Sequence, residues 1–536
     1  MARMLSREIT FLGRQLEDPQ ILGDYYQHRA VLTKVFNLSS QSEDLTDLLP
    51  SMVKLTAHPD LCVKKACGEI LAQHSSKNSE MVLLAINTLV QDCADGNPMV
   101  RGLALKTLSS LQQDSVIEHL EPAVKAGLLD KSAYVRRAAV LACIKLHQLS
   151  ASAVQDGGFV HTLYDMIRDS DPIVVVNCIC ALDEILMDEG GVVINQKITH
   201  YILSKLQMFP TWMQIKILEI LKKYKPESED ELFDMMNVMD FCLEHNSPTV
   251  MVVCLQLFLH FLEDMPHLQS EVFKRACSSI VGHLGSGNTE LMYTLVELVS
   301  AAPDSVHHFC DSFQSFFCRN KEPVYLKTAK IRLLPQLVTE DNGHAIMDEL
   351  ALYCVDASSD VSLEAMLALG RILHTKNVFS QDCQTKFISL VQSSTPHVFS
   401  NSVKVLQDLD IKDKSFWESL ILNICQHSHL ISSDASKAAL LFLVGEHGKN
   451  LSEAVLLLRD HVENFDEIKD RDVKIELLSA TVKMFLNHPA ECQSFLGQLF
   501  ERATIDKDRE VQYRAVFLYQ MLKTSITTAK SVLFSP

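Results

Sequence analysis

Tryptophan is nearly absent: Trp212 and Trp417 are the only two in 536 residues. Glycine and proline are also sparse, at 18 and 16. That excludes a collagen-like or low-complexity chain and suits helices joined by short turns. No apolar run approaches the roughly 18 residues that a membrane-spanning helix needs. The best, Ile173 to Leu182 and Met251 to Leu262, are short, and the second contains Gln256 and His260. The opening stretch MARMLSREITFLGRQLEDPQ carries charge throughout and has no continuous apolar segment, so no secretory leader is expected. An excess of base is missing too. With 67 acids against 49 bases the formal charge is −18, which argues against a general nucleic-acid binder.

Recognisable catalytic signatures are lacking. No G-x-S-x-G nucleophile turn occurs. Gly445-Glu-His-Gly448 and Gly282-His-Leu-Gly-Ser-Gly287 contain glycines but no Lys-Ser/Thr and no strand context, so they read as loops between helices, not phosphate cradles. The 15 cysteines sit mostly inside apolar stretches, as Cys143, Cys178 and Cys254 do, and read as free thiols in a reducing compartment. Cys178 and Cys180 fall on different faces of a helix and make a poor metal pair. His307-His308-x-Cys310 and His427-Ser-His429 have no second cluster at zinc-module spacing. No catalytic residue, metal or cofactor is expected, and an enzyme would need polar side chains converging in a cleft that the sequence does not reveal.

What the chain has is a repeat. Asp95-Gly-Asn-Pro98-Met-Val100-Arg101, Asp130-Lys-Ser-Ala133-Tyr-Val135-Arg136 and Asp169-Ser-Asp-Pro172-Ile-Val174-Val175 each open an apolar run. Each copy has a turn ending in a capping residue, then apolar positions at helical spacing. In the second copy Val135, Ala138, Ala139, Ala142 and Leu146 share one face. A period near 40 residues is that of HEAT or armadillo units, with room for roughly 13. Such helices bury their stripes only by stacking on neighbours. Weaker copies begin at Asn246-Ser-Pro248, Asp356, Asp470 and Asp508, and a final helix spans about 511 to 534. The fold expected is all-α, an α-solenoid of HEAT/armadillo-like repeats, continuous over 1–536 with a change of curvature near 226 or 345–360. Arg101 and Arg136 occupy equivalent slots, and a structural ladder of Arg with turn Asp explains them better than a basic ridge does. Asn177 reads as a satisfied core amide. The run from Met81 to Val90 is apolar at nearly every position and should be mostly buried.

Several stretches resemble the beta-class large subunit, or beta adaptin, of the heterotetrameric adaptor complexes of vesicle transport. They are Val63-Lys-Lys65, residues 83–111, 128–147 and 163–186 and, less densely, 442–465, 474–493 and 519–533. Gly190-Gly-Val-Val-Ile-Asn195 and Glu229-Asp-Glu-Leu-Phe-Asp-Met-Met236 are most similar to the beta subunit of the fourth adaptor complex. The resemblance implies an adaptin trunk that pairs with a second large adaptin, a medium (mu) and a small (sigma) subunit. It implies a cytoplasmic, peripheral position on the trans-Golgi network membrane, recruitment by an Arf-type GTPase, and sorting of transmembrane cargo. It places a GTPase contact at Leu83 and Ile86, which are i and i+3 on one helix and would otherwise be core. The stretch Asp24 to Ala30 lacks the lysines of the plasma-membrane type, so direct phosphoinositide binding there is not expected. The resemblance implies a hinge and a C-terminal appendage beyond such a trunk, and neither is expected within residues 1–536. The competing readings are a different solenoid, such as a coatomer subunit or a peptide-binding transport receptor. The latter would show an Asn or Trp ladder, which the two distant tryptophans do not supply.

Overall fold

The computed structural model describes residues 2–18, 24–40, 45–74, 79–393, 395–409, 411, 413–431 and 433–533. The polar turn expected after the first helix and the end of the last helix fall partly outside them. Among the described residues every regular element is helical. The chain divides into two compact units, Met1–Asp264 and Met265–Pro536.

In the first unit one layer of helices packs in sequence: Leu61–His74, Pro98–Ser110, Ala133–Leu149, Pro172–Ile185, Thr211–Leu221 and Pro248–Phe261. A second layer begins with Leu49–Leu55, Ser79–Asp92 and Ile117–Leu128, again each against the next. The second unit repeats the plan. Val324–Leu333, Ser359–Thr375, Pro396–Gln407, Asp434–His447, Arg471–Asn487 and Arg509–Thr524 form one layer. Gly343–Cys354, Ser380–Val391, Lys414–His427, Ser452–Glu463 and Pro489–Thr504 form the other. Each helix thus touches its sequence neighbour and the equivalent helix one repeat away. That nearest-neighbour packing defines a helical repeat array.

The local signals act as the sequence suggests, with one refinement. In the three early copies the first turn aspartate does not cap the helix; it accepts the backbone N–H two residues on, as Asp95 does from Asn97 at 2.7 Å and Asp130 does from Ser132 at 2.7 Å, whereas Asp470 and Asp508 in the late copies are themselves the caps. In the early copies the cap is a later residue. Asn97 accepts from Met99 N at 3.0 Å, and Asp171 accepts from Ile173 N and Val174 N, both at 3.0 Å. Of the expected face Val135, Ala139, Ala142 and Leu146 are buried and Ala138 is half-buried.

Three expectations change. Gly445 lies inside the helix Asp434–His447, not in a loop, and a Cβ there would meet Ala480 Cα at 2.8 Å; the glycine lets two layer helices approach closely. The last helix is two, Arg509–Thr524 and Ile526–Leu533, broken at an extended Ser525. The β-branched run Ile526-Thr-Thr528 follows that break, and such residues weaken helix continuation. Asn177, on Pro172–Ile185, is only partly buried, not a core amide.

Candidate interaction surfaces

The arginine slots are internal ties. Arg101 donates to both oxygens of Asp130, at 2.8 and 2.9 Å, and through Nη1 to the carbonyls of Asp95 and Gly96 at 2.9 and 3.2 Å. Arg136 does the same one repeat later, with Asp169 and with the carbonyls of Asp130 and Lys131. Each arginine therefore closes its own turn and grips the aspartate of the next. Lys327 with Asp356 and Lys474 with Asp506 restate the tie in the second unit. The Arg101 guanidinium holds the Asp130 carboxyl below the usual carboxylate range. A forked guanidinium with its donors spent this way leaves little for an external ligand.

The other candidate donors are equally occupied. His307 bonds the carbonyl of Asp304, His308 bonds Ser270 Oγ, and His427 bonds the carbonyl of Asn423. Burial pushes the Cys180 thiol up and the Cys178 thiol up further, which disfavours the thiolates that bind metal. Among the described residues no group of three His, Cys, Asp or Glu is placed to hold a metal ion. No described helix is long and apolar enough to cross a membrane. The Gly190-Gly191 break is a structural loop. Both glycines have positive φ, and the Asp183 carboxylate accepts from Val192 N while pairing with Lys223.

Exposed apolar side chains occur along the described chain, and two helices carry them next to one another. On Arg509–Thr524 the residues Tyr513, Val516 and Phe517 form a solvent-facing stripe, opposite buried Val511, Ala515 and Leu518. Tyr519 flanks it and packs edge-on against Phe500. A helix apolar on both sides in this way is built to be covered. The second helix is Ser79–Asp92. Here Leu83 is 42% and Leu84 64% exposed, whereas Ile86 is 3% exposed, in the core with Ala85 and Leu89. The near-continuous apolar run predicts that most of it is buried, and two of its leucines nonetheless face solvent. The structure places Leu83 and Ile86 apart: one outside, one inside. Leu84, not Ile86, is the exposed neighbour of Leu83.

The family described as the adaptin N terminal region matches residues 8–526. The chain belongs to the adaptin N-terminal-region family. Among its relatives, the AP-4 complex subunit beta-1 of Mus musculus is 36% identical over 98% of this chain and 71% of that protein. The Beta-adaptin-like protein A of Arabidopsis thaliana is 29% identical, and the AP-1 complex subunit beta-1 of Mus musculus 27%. They are covered over 64% and 54% of their lengths, so the chain spans about half to two thirds of these two relatives. A chain of a homology model of the full-length AP-3 complex in an intermediate open conformation superposes with a TM-score of 0.57 at 18% identity, over 96% of this chain and 93% of that one, which shows the shared fold. As an adaptin, the chain is a structural subunit of the adaptor-complex class that serves vesicle traffic, not an enzyme.

Proposed function

We propose that this adaptin is the beta-class large subunit of a heterotetrameric adaptor complex of the fourth type, working with a second large adaptin, a medium (mu) and a small (sigma) subunit. The 36% identity to an AP-4 beta subunit, over nearly the whole chain, carries this reading. The stripe Tyr513, Val516 and Phe517 supports it, because an apolar helix face of this kind is stabilised when a partner removes it from water. The complex would sit peripherally on the cytoplasmic side of the trans-Golgi network membrane, recruited by an Arf-type GTPase in its GTP state, and would sort transmembrane cargo. Leu83 is exposed and suited to direct contact with the GTPase. Ile86 supports that helix from beneath.

Affinity purification of the tagged chain from cells, followed by mass spectrometry, tests the assembly. One medium, one small and one other large adaptor chain in equal amounts is the expected result. Recovery of nuclear transport factors or coatomer chains in their place would overturn it. Imaging against a trans-Golgi marker, with and without an inhibitor of Arf activation, tests the location: persistence on the membrane in the inhibitor's presence would rule out GTPase recruitment.

A further inference from the structure

Glu364 is buried on the helix Ser359–Thr375. Two arginines share its carboxylate. Arg371, on the same helix, donates through Nη2 to Oε1 at 3.1 Å. Arg332, on the preceding helix of the layer, donates through Nη2 to Oε2 at 3.2 Å. This differs from the ties at Arg101 and Arg136. Those guanidiniums spend both sides of their fork on one aspartate and their third nitrogen on backbone carbonyls. Arg332 and Arg371 each meet Glu364 through a single terminal nitrogen, which leaves the rest of each fork open.

Both arginines line one cavity of about 600 Å³ within the second unit. Lys376 is exposed at the end of the same helix and adds a third cation to its wall, while Ser300, Gln336 and Thr375 add neutral hydrogen-bonding groups. Glu297 is the acid in the lining and lies near Arg332. Three cations thus meet two carboxylates, Glu297 and Glu364, so the cavity carries a local positive excess on a chain whose formal charge is −18. Its volume falls in the range of small-molecule sites. A tetrahedral phosphate presents oxygens to Arg332 on one helix and to Arg371 and Lys376 on another. Arginine forks match phosphate oxygens bidentately.

We propose that this cavity binds a phosphate-bearing polyanion of about the size of an inositol polyphosphate, with Arg332, Arg371 and Lys376 as its ligands and Glu364 as the residue that positions the two guanidiniums. The shared chemistry is a clustered phosphate, offered either by a lipid headgroup or by a free metabolite.

Calorimetric titration of the full chain, purified with the subunits that accompany it, tests this with inositol hexakisphosphate at low ionic strength. Saturable binding is expected. It should weaken about tenfold or more in Arg332→Ala/Arg371→Ala and a few-fold in Lys376→Ala. Arg168→Ala, outside this cavity, should leave it unchanged. The Lys376 side chain is exposed, so that single variant keeps the test decisive if the double variant misfolds. Sedimentation with phosphatidylcholine vesicles containing a phosphatidylinositol phosphate separates the sources. Pocket-dependent pelleting assigns a lipid headgroup, and binding of the soluble compound without pelleting assigns a free polyphosphate. Absence of saturable binding, or binding that Lys376→Ala and the double variant leave intact, overturns the proposal. So does an acidic or phosphorylated peptide that binds the same residues more than about tenfold tighter, because the cavity would then recognise a protein segment.

Discussion

Arg136 holds Asp169 through two parallel bonds of 2.7 and 2.8 Å while its Nη1 reaches back to the Asp130 and Lys131 carbonyls. One side chain therefore joins two repeats and closes the turn between them. Both partners are largely shielded, with side-chain exposures of 14% and 10%. Removing the arginine leaves a part-buried carboxylate and two carbonyls to water. Arg136→Ala should cost about 2–3 kcal/mol, seen as a fall in Tm of roughly 2–4 °C for each kcal/mol in a unit of this size. Arg136→Lys keeps the charge but loses the fork and should cost less. Equal melting of the two variants would mean that charge alone matters.

The same ties set the acid limit of stability. The guanidinium of Arg101 lowers the Asp130 carboxyl; at Asp169 burial raises it, but the bond from Arg136 and backbone N–H groups bring the net shift down. A carboxylate whose folded pKa is depressed contributes stability that is full above its unfolded value and lost as pH falls through the folded one. The ladder should therefore weaken below about pH 4. His447 acts in a separate window. Its ring stacks on Trp417 at 3.9 Å, and burial, with Lys449 nearby, lowers it from 6.5 to about 4. The neutral ring stabilises the fold, and this contribution is lost as pH falls from about 6.5 towards 4. Melting followed by pH should show that loss in the parent chain and not in His447→Gln. Parallel curves for the two would remove His447 from the account.

Lys330 is fully buried and donates to Glu322 at 2.7 Å and to the Phe317 carbonyl at 3.2 Å. Lys330→Met strands the Glu322 carboxylate in a shielded site and should cost roughly 3–5 kcal/mol. Adding Glu322→Gln should return a large part of that, because the charge left behind dominates the loss. A double variant as unstable as the single would place the cost in packing instead. Chemical denaturation of the three chains decides between them.

The repeats were readable because each turn announces itself: Asp, a cap, and then apolar residues at helical spacing. Asp95, Asp130 and Asp169 gave the period, and the ladder followed from Arg101 and Arg136 standing in equivalent slots. What pairing each arginine makes was not readable, since the partner lies in the following repeat and only the stacking brings Arg136 to Asp169. The run 81–90 misled for a related reason. Apolar content alone does not reveal which side of a helix meets its neighbours, so Leu83 and Leu84 looked like core. The cavity at Arg332 and Arg371 gave no motif, because Glu364 joins residues from two helices.

The stripe on Arg509–Thr524 should be silent for folding and active in assembly. Tyr513 and Phe517 are exposed, so Tyr513→Lys/Phe517→Lys should leave Tm nearly unchanged. Recovery of other subunits with the tagged chain should drop strongly. The parent chain expressed alone should be poorly soluble, and the double variant more soluble, because the apolar face is then charged. Full recovery of partners with the variant would show that this face is not a subunit interface.

Leu83 and Ile86 make the sharpest contrast, because one helix gives them opposite environments. Ile86→Ala removes a buried side chain and should cost about 2–4 kcal/mol. Leu83→Ala removes an exposed one and should stay within about 0.5 kcal/mol. If an Arf-type GTPase docks here, its GTP-bound form should lose affinity for Leu83→Ala, and for Leu83→Ala/Leu84→Ala further, at unchanged Tm. Any loss in Ile86→Ala should instead track the fraction of chain unfolded. Binding measured well below the melting transition separates the two. A Leu83→Ala/Leu84→Ala chain that binds the GTPase as the parent does would show that the contact lies elsewhere, and that the exposure of these leucines serves another subunit.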